Sequence, residues 1–206
     1  MAAVLAPYGF RPINLLGGQS YAGSTRLYQI PASYAVNIQF GDAVIITNTG
    51  ATRGTLARFN ATTTATTATT TGGGFGYVGV FVGCTYTDPT YGLVNRQTYQ
   101  AGNAATDIRG YVVDDPDALF QMQADGSLTQ TALGTNAAII QTVAGSSGYF
   151  NSGVALQAST VATTNTLPVT IVDFVTIGDA FTDVIVRINT HFHRSGNTGR
   201  AGTAAT

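Results

Sequence analysis

Hydrophobic and polar positions alternate in pairs along much of this chain, and a helical period is rare. In "FGYVGVFVGCTYTDP" the residues Val78, Val80, Val82, Cys84 and Tyr86 fall on one side and Tyr77, Gly79, Phe81 and Gly83 on the other, with "TDPTYG" as the closing turn. The pattern predicts a strand with one core face, its opposite glycines marking a bend or a close backbone approach. In "LFQMQADG", Phe120, Met122 and Ala124 alternate with Gln121 and Gln123, and "IRGYVVDD" reads as a neighbouring strand. Leu27 to Ile30 and "NIQFGDAVIITNTG", with Val44 and Ile46 on one face and a turn signal at Asn48 to Gly50, predict a strand, turn, strand unit. Three more strands follow in "GVALQA", "LPVTIVDFV" and "TDVIVRIN", where Val184, Val186 and Ile188 share a face. One helix is predicted, within Leu128 to Gln141, on the spacing of Leu128, Ala132, Leu133 and Ile139, although Gly134 weakens it.

Three segments stand outside this pattern. Residues 1–26 hold Tyr8, Phe10, Ile13, Leu15, Leu16 and Tyr21 among glycines and two prolines, which forbid a helix and predict an extended arm. Ordering a residue costs about 1–2 kcal/mol, and burying a Phe, Ile or Leu side chain returns about 1.5–3 kcal/mol. Such an arm settles only where a groove, on its own body or on a neighbour's, accepts Phe10 and Ile13. Residues 60–74, "NATTTATTATTTGGG", lack charge and large apolar groups and predict a mobile loop, and "RSGNTGRAGTAAT" from Arg194 to Thr206 predicts a disordered tail.

Composition sharpens the fold class. All ten acids are Asp and all nine bases are Arg, so the good helix formers Glu and Lys are missing while Thr, Val, Tyr and Phe abound. The expectation is an all-β protein, an antiparallel β-sandwich or barrel with at most one or two short helices. Its 206 residues predict one β-rich domain over 27–193 between the arm and the tail. A net charge of −1 gives no footprint for nucleic acid or an anionic membrane, and no apolar run reaches the length of a membrane span. MAAVLAPYGF lacks the basic start and apolar run of a signal peptide.

Candidate chemistry is sparse. Cys84, the single cysteine, lies in phase with valines and reads as a buried structural thiol. Asp114, Asp115 and Asp117 can ligate a cation through oxygens, or form a turn with Pro116. His191 and His193 flank Phe192 and point the same way on a strand, which allows a shared metal, but two histidines without a third ligand fit an exposed strand end better. "TGGGFGYVG" lacks the lysine and the following helix of a phosphate loop. Tyr8, Tyr21, Tyr28 and Tyr34 can serve as platforms for sugars or as core. No catalytic residue, cofactor site or metal site is assigned.

Several stretches together, "YGFRPINLLGGQSYAGSTR", "GVFVGCTYTDP", "YVVDDPDALFQMQADGS", "ALGTNAAI" and "GDAFTDVIVRIN", resemble a family of virion structural proteins of tailed bacteriophages, in order and over nearly the whole chain from Tyr8 to about His191. The resemblance implies a non-enzymatic head protein, a capsid decoration or cement protein on the outside of the virion. Its implied partners are the major capsid protein and copies of itself, and it would pass through the host cytoplasm during assembly. No functional residue carries over from it. The arm residues Tyr8, Phe10, Arg11, Ile13, Leu15 and Leu16 are the candidate partner-binding set, expected to reach outside their own subunit. A carbohydrate-binding or host-recognition module of a tail appendage is the alternative.

Overall fold

A computed structural model of the chain describes residues 4–48, 50–59, 74–141, 151–164 and 166–194. The predicted loop at 60–74, apart from Gly74, and the tail beyond Arg194 lie outside the described residues.

The fold is all-β. Strands β1 (Arg11–Leu15), β2 (Arg26–Gln29), β3 (Ala43–Thr47), β4 (Leu56–Arg58), β5 (Gly74–Asp88), β6 (Gly92–Arg96), β7 (Arg109–Val113), β8 (Ala118–Gln123), β9 (Asn136–Gln141), β10 (Val154–Ala162), β11 (Val169–Phe174) and β12 (Asp183–Ile188) form two antiparallel sheets. One has the order β1-β8-β12-β11-β9-β10; the other runs β2-β7-β5-β3-β4, with β6 paired to the far half of β5. Helical structure among the described residues is limited to two single turns, Gly50–Thr52 and Gln130–Ala132, and no helix is long and apolar enough to cross a membrane.

Two cores explain which residues made strands. Between the sheets, Phe120 and Met122 of β8, Val184, Val186 and Ile188 of β12, Ile171 of β11 and Leu156 of β10 meet Ala43, Ile45, Tyr77, Val80 and Val113 of the second sheet. On that sheet's other face Val44, Ile46, Val78, Phe81, Cys84 and Val112 are covered by Ile30, Ile38, Tyr99 and Ile108 from the connecting segments. The second sheet is therefore buried on both faces, which is why β3 is apolar at successive positions and does not alternate.

The structure departs from the sequence reading at several places. The alternation predicted for β5 breaks: Val78, Phe81 and Cys84 share the outer core, whereas Tyr77 and Val80 face the other sheet. Its pairing with β7 shifts between Phe81 and Gly83, and with β3 between Val44 and Ile45, and each extra residue turns the following side chains over. The predicted helix is a single turn followed by β9, because Gly134 takes a positive φ of 76° and the apolar run Ala137–Ile139 fills a slot between β10 and β11. The arm is not separate from the domain. Phe10, 1% exposed, meets the Phe120 ring edge-on at 5.7 Å, and β1 pairs with β8 as an edge strand. The groove that accepts Phe10 is its own, so truncation before Gln19 removes part of the subunit's core.

Candidate functional site

The six arm residues do not form one surface. Phe10 is inside, and Leu15 packs against the same core. Ile13 falls at the irregularity between Pro12 and Asn14 and is half-buried. Tyr8, Arg11 and Leu16 look outward: the Tyr8 hydroxyl donates to Asp183 Oδ1 at 2.9 Å, and the Arg11 guanidinium lies 4.2 Å over the Tyr8 ring. Partial burial, then the Asp183 carboxylate, push the Tyr8 phenol well up, so it stays a donor.

Near that same Asp183 two segments carry exposed apolar side chains. Asp183 is the register partner of Gln123, whose side chain holds the N-terminal segment by accepting from Ala6 N–H at 2.7 Å and donating to the Val4 carbonyl at 3.3 Å. Val175 N–H donates to the Asp183 carbonyl at 2.9 Å on the other side. Val4 (72% exposed) and Val175 thus flank one pair of neighbouring residues at the end of the first sheet, and Leu5 and Ile177 (51% exposed) lie on the same two segments.

A second projection is the β5–β6 hairpin. Its turn is held by Asp88 Oδ1, which accepts from Thr90 N–H and Tyr91 N–H, and it presents Tyr91 and Leu93, 76% and 72% exposed. Beside it runs an open groove of about 540 Å³ between Tyr86–Pro89 and Gln100–Ala105. From sequence this stretch reads only as a turn, and the signal for a projecting hairpin is Leu93 beside Val94 in a short run.

No protein-family model matches this chain, and neither a curated protein nor a solved structure does.

The titratable candidates sort differently from their sequence spacing. Cys84 is buried, its thiol 3.6 Å from the Thr98 carbonyl and pushed up to about 11 by burial against a smaller pull from Arg96, so it is no nucleophile at neutral pH. The aspartates part company. Asp115 Oδ1 caps its own turn by accepting from Asp117 N–H at 2.8 Å, and Asp117 pairs with Arg194. Asp114 accepts from the Tyr28 hydroxyl at 2.8 Å and lies 3.1 Å from Arg26 Nε and 3.3 Å from His193 Nε2. His191 is not at an exposed strand end: it is 1% exposed, in a parallel bridge with Tyr77 that carries the chain from the first sheet onto the second. Gly76, at φ 104°, makes room there, since a Cβ would sit 3.0 Å from the Thr190 carbonyl oxygen. Among the described residues no group of three or more His, Cys, Asp or Glu is placed to hold a metal. All four candidate sugar platforms have hydroxyls committed within the chain, Tyr28 to Asp114, Tyr21 to the Ser24 carbonyl, Tyr34 to Arg58 N–H and Tyr8 to Asp183.

Proposed function

We propose that this chain is a non-enzymatic head protein of a tailed bacteriophage that binds the outside of the assembled capsid and stabilises it, through contacts with the major capsid protein and with neighbouring copies of itself. The observation that carries the reading, beside the resemblance of the sequence, is the set of exposed apolar side chains on the segments that meet the Asp183–Gln123 pair, Val4, Leu5, Val175 and Ile177, on a body with few charged groups. A cement protein acts by mass action: whatever binds the shell better than its loose subunits shifts the balance toward the shell.

Purified chain added to heads lacking it is expected to bind saturably and raise their resistance to heat. Changing Val4, Leu5, Val175 and Ile177 together to serine should leave the subunit's own melting curve nearly unmoved, because all four are exposed, and should weaken head binding by about 100-fold or more. Saturable binding unaffected by the four changes places the contact elsewhere; no binding at all removes the proposal. The second reading, a carbohydrate-binding module, rests on Tyr91 and the 540 Å³ groove beside the hairpin. Glycan binding that is lost in Tyr91→Ala, without head binding, favours it.

A further inference from the structure

The segment Thr190–Arg194 leaves β12 and crosses to the second sheet, where Tyr77, the Tyr28–Asp114 pair and the Asp117 turn hold it. Tyr77 N–H donates to the Thr190 carbonyl at 3.1 Å and Phe192 N–H to the Tyr77 carbonyl at 2.6 Å. His193 Nε2 lies 3.3 Å from Asp114 and 3.2 Å from the Tyr28 hydroxyl, and Arg194 pairs with Asp117; within the segment, His193 N–H donates to His191 Nδ1 at 3.1 Å and sets its turn against the second sheet. The Nδ1 contact fixes the state of His191. Because Nδ1 accepts, the ring is neutral with its proton on Nε2, and Nε2 is buried without a partner.

We propose that His191 makes this crossing an acid-opened clasp: protonation of its Nδ1 releases residues 190–194 from the second sheet while β12 stays paired between β8 and β11. Adding the proton turns the acceptor of the His193 amide into a second donor, so two N–H groups face one another, and it places a charge where the ring is shut off from water. The surroundings do not neutralise that charge. On its own segment His193 and Arg194 oppose it; from the end of β7 and the turn after it Asp114 and Asp115 favour it. Asp114 is itself shared among Arg26 and Tyr28 of β2 and His193, Asp117 is taken by Arg194, and Tyr77 of β5 offers only a buried phenol. Burial first, then His193, push the His191 ring down to about 4 from an ordinary 6.5. The sign follows: the open segment takes its proton as pH falls through about 6.5, the closed one only near 4. Clasp closure is fully favoured above that window and lost through it, an increase in opening of about 50- to 100-fold by pH 4.5.

The test is amide exchange on the full-length protein, corrected for the intrinsic pH dependence of exchange and resolved at Tyr77, Phe192 and His193. Between pH 7.5 and 4.5 these amides should lose protection by that factor while Val184, Val186 and Phe120 keep theirs. His191→Asn leaves a side-chain oxygen to accept the His193 amide but cannot titrate, and it should abolish the pH effect. NMR titration of the wild-type His191 ring gives a second reading that needs no variant, with an expected midpoint below 5. A ring that titrates near 6.5, an equal pH response in His191→Asn, or loss of protection in β12 together with the crossing segment each overturns the clasp.

Discussion

Gly79→Ala is expected to leave the chain without a cooperatively folded state at 25 °C. A Cβ on Gly79 would lie 2.0 Å from the Val113 carbonyl oxygen and 2.8 Å from its carbon, and both belong to the backbone of β7, so no rotamer relieves them. The residue's φ of 152° adds strain for any side chain. Relief requires separating β5 from β7, which means opening the pairing Val80↔Val113 at the middle of the second sheet, between its two cores. The cost exceeds about 4 kcal/mol, a large part of the 5–15 kcal/mol that holds a domain together. Gly110→Ala is the control. There the new Cβ meets the ends of the Leu56, Ile30 and Phe81 side chains, the closest at 2.8 Å, in a backbone region open to all residues. Those ends can shift, and the loss should stay near 1–3 kcal/mol. Circular dichroism melts of the two variants separate the cases: a Gly79→Ala protein that melts within a few degrees of the wild type means that β5 does not approach β7 as described.

The same glycine shows how much of this fold could be read beforehand. "GYVGVFVGC" was legible as a strand because its residues suit a pleated surface, and its glycines were legible as a close approach. Which side chain faces which core was not, since that depends on shifts of register set by strands distant in sequence. Phe120, Met122, Val184 and Val186 were placed on the right face because β8 and β12 are regular and each buries one side only. Leu128–Gln141 misled through period: six residues of a two-sided buried strand carry no alternation, and a neighbouring turn supplied a false helical spacing. The functional surfaces were harder still. Phe10 and Leu16 are near neighbours in an apolar-looking arm, yet one is core and the other is 45% exposed, a difference made by β8 and not by local sequence. His191 and His193 could be seen as a pair, but Tyr77, more than 100 residues earlier, decides that the first is buried.

A buried ion pair carries the second large expectation. Asp42 Oδ2 lies 3.0 Å from Arg58 Nε, with the two side chains 1% and 8% exposed, and the same oxygen accepts from Gln39 N–H at 2.8 Å. The pair ties the start of β3 to the end of β4, and Arg58 N–H donates to the Tyr34 hydroxyl at 3.0 Å. Desolvation raises the Asp42 carboxyl, and Arg58, then the Gln39 amide, hold it down. Arg58→Met strands a carboxylate in the core and should cost about 3–5 kcal/mol at pH 7; Asp42→Asn strands the guanidinium and should cost a similar amount. The double variant removes both charges and should be more stable than Arg58→Met alone, so the cycle closes with a coupling of more than about 1 kcal/mol. The pH dependence separates the singles. With Arg58 gone the folded carboxyl rises further above its unfolded value, so the folded state binds the proton more readily, and the deficit of Arg58→Met relative to wild type shrinks as pH falls from 7 to 5. Arginine does not titrate there, and Asp42→Asn has no carboxyl to take up the proton that the raised Asp42 of the wild type binds, so its deficit does not shrink as pH falls and the two singles move in different ways. Urea melts of the four proteins at both pH values give all the terms, and an additive cycle, or two singles with the same pH slope, means that the pair is not the coupled unit its geometry describes.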